Sequence, residues 1–260
     1  MKPTPSSWLW QDEVWQPAQS LPLSDRAIRY GMAVFETIGI RYGVPLLWQE
    51  HLELLAQGAK KLLALTLPDL TRPSLPPRES GVLRLYITAG DGSPTDPVSH
   101  PRIFALFENF PTGLPWREQT ARLHPEPVTP FAHGWKTANY WPQCAAQEAA
   151  RSAGFDHALI ADREGNLLSA ALGNLFFILE GKLCTPALSL AVRPGVIRSW
   201  IQSEKSVEEK IFPAGRLDEV AELFMTNSRQ GVVPLHYQNI SSGPVGRALR
   251  TTCLRQKITP

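Results

Sequence analysis

The chain reads as an α+β protein built in two parts, a smaller N-terminal domain and a larger C-terminal one, both rich in antiparallel pairing. Three observations carry this reading. Short apolar or alternating runs, the pattern of strands, outnumber stretches with helical spacing along the 260 residues. Several of those runs are joined by hairpin-type turns, such as Arg41–Pro45 and Asp162–Asn166. A Pro-rich stretch between Phe110 and Pro130 makes a natural boundary. We therefore place a small α+β domain at residues 1–115, a connection at 116–130 and the larger domain at 131–260.

Taken in order, Trp8, Trp10 and Trp15 recur too irregularly for a helix, so residues 7 to 23 are expected as strands. Residues 24 to 30 look like a tight loop fixed by an Asp25–Arg26 pair, feeding a strand that runs through Ile40. Apolar residues at Leu52, Leu55, Ala59, Leu62 and Leu63 have helical spacing and predict an amphipathic helix from Leu47 to Leu65. Prolines between Pro68 and Pro77 stop it. Strands follow at Val82–Thr88 and Ile103–Phe107. Beyond the boundary an Ala-rich helix runs from Tyr140 to about Ala153. Strands are expected at 158–161, 167–171 and 173–179. Pro194 should open a helix from an N1-type position. Val207–Ile211 is strand-like, a turn at Asp218 leads into a strand ending at Ser228, and a basic helix from Gly243 to Ile258 closes the chain.

Composition excludes several classes. With 43% hydrophobic and 19% charged residues the chain is ordinary globular material, long enough for a sizeable core. A net charge of +2 gives no field directed at nucleic acid. The opening Met1–Pro5 lacks the apolar segment of a signal peptide, and no apolar run approaches a membrane span. Three cysteines far apart argue against a disulfide framework or a zinc site, so no metal is expected and the location is expected to be cytoplasmic. There is no Walker-type Gly-Lys-Ser/Thr, no G-x-G-x-x-G and no internal repeat.

The stretch that organises the functional reading is Gly134-Trp135-Lys136-Thr137-Ala138-Asn139-Tyr140. Alone, a lysine there reads as a solvated residue at a helix start. Around it stand six further segments. They are Asp25-Arg26-x-x-x-Tyr30-Gly31-x-x-Val34-Phe35-Glu36-Thr37, Glu50-His51-Leu52, Glu164-Gly165-Asn166, Gly173-Asn174-Leu175-Phe176, Pro194-Gly195-Val196-Ile197-Arg198 and Glu222 through Ser228. Each is weak by itself. In this order, covering about Leu21 to Leu235, the chain resembles the fold-type IV pyridoxal-phosphate enzymes: aminodeoxychorismate lyase and the branched-chain and D-amino-acid aminotransferases.

The resemblance implies that family's two-domain fold, with a larger C-terminal domain of mainly antiparallel, barrel-like sheet. It also implies pyridoxal 5′-phosphate as cofactor, a small-molecule substrate and a homodimer. Lys136 then holds the cofactor as a Schiff base, which only a primary amine can form and exchange with a substrate amine. Tyr140 lies by the cofactor's ring oxygen. The backbone N–H groups of Val196 and Ile197, at a helix start, receive the phosphate, with Asn227 and Ser228 on its other side. Tyr30, Arg29 and Arg84 are candidate substrate contacts. Glu36 and His51 are read as structural.

Two departures from the family stand out. Leu54 occupies the place of its phosphate-binding arginine, and Ser169 that of the glutamate on the pyridine nitrogen. Among the family's activities, the short chain and the start Ser24-Asp25-Arg26-Ala27 favour the lyase that makes 4-aminobenzoate and pyruvate. The lyases' arginine after the first long strand is absent from Thr88-Ala89-Gly90. An amino-acid aminotransferase is the alternative, and a catalytically impaired paralogue serving as a binding or dimer module is a third.

Overall fold

A computed structural model of the protein describes residues 6–75, 79–110, 117–129, 134–241 and 243–260. Parts of both Pro-rich stretches, 76–77, 111–116 and 130, lie outside the described residues. The fold is α+β in two compact units. The first comprises Met1–Leu114 with Lys136–Asn139 and Ile258–Pro260; the second comprises Pro115–Trp135 with Tyr140–Lys257. The four residues Lys136–Asn139 thus cluster with the first unit, whereas the sequence division assigned them to the C-terminal domain. The physical reason is backbone pairing, described below.

Among the described residues the first unit holds β1 (Ser7–Gln11), β2 (Val14–Pro17), α1 (Arg26–Tyr30), β3 (Ala33–Arg41), β4 (Val44–Pro45), α2 (Trp48–Leu63), β5 (Gly81–Thr88) and β6 (Ile103–Asn109). The strands form one antiparallel sheet in the order β2-β1-β6-β5-β3-β4. Side chains alternate across a sheet, so each strand offers one row to each face. Val34, Ile38, Leu83, Leu85, Ile87 and Ala105 pack against Leu55, Ala59 and Leu63 of α2. The other face carries Phe35, Tyr86 and Phe104, stacked across three strands with ring centroids 4.9 and 4.6 Å apart. Helix α2 begins without a side-chain cap, but Glu50 in its first turn and Lys60 and Lys61 in its last suit the helix dipole.

One expectation is corrected here. Asp25 and Arg26 do not pair, and residues 26–30 form a short helix rather than a loop. Asp25 caps α1 by accepting from Ala27 N, and its other oxygen accepts from Thr88 and Arg102. Arg26, fully buried, donates instead to the carbonyls of Ala89, Gly90, Ser93, Asp96 and Pro97. Adjacent residues at a helix start point in different directions, so each charge finds its own partners. The 89–97 loop is wrapped around the Arg26 guanidinium, which has five donors and no acceptor to satisfy.

The second unit holds β7 (Gln119–Leu123), α3 (Trp141–Ser152), β8 (His157–Ala161), β9 (Leu167–Ala170), β10 (Asn174–Leu179), β11 (Lys182–Pro186), α4 (Val196–Glu204), β12 (Glu208–Lys210), β13 (Glu222–Asn227), β14 (Gly231–His236) and α5 (Pro244–Arg255). Its sheet runs β12-β11-β10-β13-β14-β7-β8-β9. It is mainly antiparallel, with parallel pairs at β11–β12, β14–β7 and β7–β8. It curls enough for β9 to approach β10 and β11. One core lies under β8–β14 around Leu159, Leu175, Phe177, Leu223 and Leu235, and a smaller one joins Ala146 and Ala150 of α3 to Ile160 and Leu168. Helix α4 starts at Val196 with Gly195 as its N-cap, so Pro194 precedes the cap instead of standing inside the first turn.

Candidate active site

Lys136 is positioned by a strand edge. Strand β4 pairs only with Ile40 and Arg41, which leaves the outer edge of β3's first residues to another partner. That partner is the Lys136–Ala138 segment: Phe35 N donates to Lys136 O and Ala138 N to Ala33 O, both at 2.9 Å, and Thr137 bridges Val34. Asn139 continues the attachment by donating its side-chain N–H to Gly31 O at 3.0 Å. Gly31 ends α1 with φ +67°, and a Cβ there would lie 2.5 Å from the Asn139 Oδ1. Glycine is therefore required by backbone and neighbour alike.

Held this way, the Lys136 amine donates to the Thr37 hydroxyl at 2.9 Å and lies 4.5 Å from the centroid of the Phe35 ring. Thr37 closes one of the segments that carry the resemblance, but the sequence reading gave it no role of its own. Its signal exists only in the register of β3 against the Lys136 segment. Directly opposite Thr37 on β5 stands Arg84, whose guanidinium pairs with Glu108 of β6. Arg29 and Tyr30 lie at the end of α1, both exposed. The Arg29 Nη2 donates to the Tyr30 hydroxyl at 2.6 Å, and Nη1 to Gly92 O at 3.4 Å. Glu36 and His51 face the interior and pair at 2.9 Å, both almost fully buried. Leu54 is buried one turn further along α2.

The second unit gathers a different set. Gly195, Val196 and Ile197 are buried, and no side chain caps the first turn of α4. Buried helix N–H groups without a capping side chain suit an anion, because donors and dipole point the same way. Three sequence segments converge on this helix start. Asn174 donates to Arg193 O at 2.7 Å, and its Oδ1 lies where a Cβ on Gly195 would intrude, at 2.2 Å. Gly173 in turn lies so close to β13 that its Cβ would fall 2.6 Å from Thr226 O.

Asn227 has its side chain committed to its own turn. The Oδ1 accepts from Arg229 N and Gln230 N, and the Nδ2 donates to Leu172 O. Its place is thus to shape the three-residue β13–β14 loop that presents Ser228. Ser169 sits half-exposed on β9 opposite Ile160. Tyr140 is half-buried at the N-cap position of α3. Among the described residues no cluster of His, Cys, Asp and Glu could hold a metal ion. Among the described residues no helix is long and apolar enough to cross a membrane.

The first unit offers a partly buried primary amine at Lys136, and the second, taken by itself, a buried helix start at Val196 whose N-cap is a glycine; each is a kind of group that pyridoxal phosphate uses. Ser169 carries a hydroxyl where the resemblance implies a carboxylate, and Leu54 an apolar chain where it implies a cation. Comparison with known proteins agrees with the fold and the segment order. The family model for amino-transferase class IV matches residues 33–236. An aminodeoxychorismate lyase of Vibrio harveyi is 27% identical over 90% of this chain and 94% of its own length. A protein of Methanocaldococcus jannaschii named for branched-chain-amino-acid aminotransfer is also 27% identical, over 81% of this chain and 80% of its own. The crystal structure of a 4-amino-4-deoxychorismate lyase from Pseudomonas aeruginosa superposes with a TM-score of 0.81 at 23% identity, covering 97% of this chain and 99% of that one. The chain belongs to the class IV aminotransferase family of pyridoxal-phosphate enzymes.

Proposed function

We propose that the protein is a lyase that converts 4-amino-4-deoxychorismate to 4-aminobenzoate and pyruvate, a step toward folate, and that it works as a homodimer in the cytoplasm. The observation that carries this reading is the Lys136–Thr37 pair, an amine and a hydroxyl 2.9 Å apart on one strand edge. The elimination breaks the ring C4–H and C3–O bonds. The ring becomes aromatic, and the departing enolpyruvate takes a proton on its methylene carbon to become pyruvate. Two proton carriers side by side suit that sequence: Lys136 receives the C4 proton and Thr37 stands to pass one toward the leaving group.

Bound pyridoxal phosphate supplies an electron sink next to the substrate amine. In this reading Lys136 would be its covalent anchor, and Val196 N–H, Ile197 N–H and Ser228 would hold the phosphate, with Asn227 shaping the Ser228 loop. Tyr140 would be the residue for its ring oxygen, and Ser169 the residue for its ring nitrogen. Ser169 gives the preference for a lyase over an aminotransferase. A hydroxyl does not keep a pyridine nitrogen protonated as a carboxylate does, and aromatisation draws the electrons onward without a deep sink. Tyr30, Arg29 and Arg84 contact the substrate.

The aminotransferase reading is supported by the Methanocaldococcus relative, which is as similar in identity as the Vibrio lyase. Assay of the protein supplied with pyridoxal phosphate separates the readings. Release of 4-aminobenzoate and pyruvate from aminodeoxychorismate is expected, with little glutamate formed from an amino donor and 2-oxoglutarate. Glutamate at a comparable rate would overturn the lyase assignment. Borohydride reduction and peptide mapping should place the cofactor on Lys136; no label at saturating cofactor would leave a binding module instead.

A further inference from the structure

The Lys136 amine stands at the end of a column of rings. Strand β3 has β5 along one edge and, at its first residues, the Lys136–Ala138 segment along the other. Phe35 therefore has Tyr86 beside it on one side and Lys136 on the other. Phe104, Tyr86 and Phe35 stack face to face, with centroids 4.6 and 4.9 Å apart and interplanar angles of 7° and 14°. The Lys136 Nζ lies 4.5 Å from the Phe35 centroid, inside the range of a cation–π contact.

Two features hold the Phe35 ring in this place. It is buried, and turning it would break the stack on Tyr86. On the opposite face of β3, Glu36 pairs with His51 of α2 at 2.9 Å. Side chains alternate along a strand, so this buried pair fixes Phe35 and Thr37 on the other face. Burial pushes the Tyr86 phenol up, with Arg84 opposing and Glu108 adding, so the middle ring stays neutral. Arg84, opposite Thr37, and Glu108 are charged groups on the column's face, and they pair with each other. The two contacts of the amine differ in what they favour. The Thr37 oxygen accepts from an amine or an ammonium alike. A π face attracts the cation and offers the neutral amine little.

We propose that Phe35 is a positioning residue that stabilises Lys136 in its ammonium form and keeps it beside Thr37 once it has taken a proton. The inference rests on the lyase reading for the source of that proton. There the Lys136 nitrogen uses its lone pair to take the ring C4 proton, and the electron pair of the C–H bond stays with the substrate. Phe35 acts through Lys136 and takes no proton itself.

Fluorine draws charge from the face of a phenylalanine ring with little change of shape, so a fluorinated series at position 35 separates electrostatics from packing. Full chains carrying one, two or three ring fluorines there, together with Phe35→Leu, are freed of pyridoxal phosphate and labelled with acetic anhydride from neutral to strongly alkaline pH. Peptide mass reads the label on Lys136, with the exposed Lys60 as reference. The midpoint of the labelling curve reports protonation of the amine, and its alkaline plateau reports access. At neutral pH, labelling of Lys136 should rise stepwise with fluorine number and reach about fivefold in Phe35→Leu, the scale of one cation–π contact. The plateau and Lys60 should stay unchanged. A midpoint that does not move with fluorine, a shift in Phe35→Leu alone, or no label on Lys136 at the plateau would each overturn the proposal. If the trend holds and the protein supplied with cofactor does not cleave aminodeoxychorismate, the lyase reading falls and this one stands. If cleavage occurs and the midpoint stays fixed, this one falls alone.

Discussion

Lys136 donates to Thr37 at 2.9 Å, and that bond sets an expectation at the scale of single residues. Thr37→Val keeps the volume and the strand preference but removes the acceptor and the transferable proton. Thr37→Ser restores both with less packing. The valine variant should lower kcat for 4-aminobenzoate release by about 10²-fold, the lower end of what a positioned acid or base contributes, and the serine variant should recover most of it. Activity kept in the valine variant and lost in the serine variant, measured under saturating substrate, would mean that the methyl group and not the hydroxyl matters. The contrast between Lys136 and Thr37 also marks what a sequence can disclose about a site. Lys136 stands in a segment whose neighbours are unusual in kind and order. Thr37 looks like any strand threonine, and its role depends on a register between segments 99 residues apart. Asn227 was expected on the phosphate, but its side chain closes its own turn, a local bond that a list of polar residues does not reveal.

At the scale of elements, α5 illustrates a helix whose cap is borrowed. Its N-cap residue, Gly243, has no side chain, and the first turn is satisfied by Glu222 of β13. That carboxylate accepts from Val245 N at 3.2 and 3.1 Å and from Gly246 N at 3.1 Å. Glu222 is 6% exposed, and a Cβ on Gly243 would lie 1.8 Å from its Cδ, so the glycine makes room for the cap. Glu222→Ala should destabilise the protein by about 1–3 kcal/mol, combining a lost cap with buried donors left unpaired; denaturant unfolding measures it. A loss within error would show that water or another group replaces the carboxylate at no cost. The elements legible in advance were those that carry their own pattern: α2 by its apolar period, α3 by its alanines, β5 and β10 by apolar runs between turns. Strands β7 and β14 were not anticipated. β7 is short and polar at several positions and lies between parallel neighbours, while β14 contains Pro234, which reads as a strand breaker. Their pairing is decided by partners far away in the chain, which local preference does not report.

At the scale of the whole molecule, acid sensitivity follows from one buried imidazole. His157, at the start of β8, is 7% exposed, and burial lowers its pKa from 6.5 to about 4. The nearby Asp156 pulls the other way, while Arg151 and Arg117 reinforce the depression. Its Nε2 bonds Gln119 and its Nδ1 is buried with no hydrogen-bond partner, so a second ring proton would have nothing to meet. The folded chain therefore binds His157's proton less readily than the unfolded chain does. Between pH 6.5 and about 4 the unfolded state takes up a proton that the folded state refuses. Stability from this group is fully present above pH 6.5 and is lost as pH falls toward about 4, by roughly 3 kcal/mol if the whole shift is realised. Asp156, whose carboxyl is held well below its usual range first of all by its bond to Arg117, adds a separate loss only at lower pH. Urea unfolding at intervals from pH 7.5 to 4.5 should show the midpoint falling across this window. In His157→Gln, which cannot titrate, the curve should flatten there while any loss at lower pH remains. An unaltered slope in that variant would assign the acid sensitivity to other groups, since the difference in bound protons between the two states would then not come from His157.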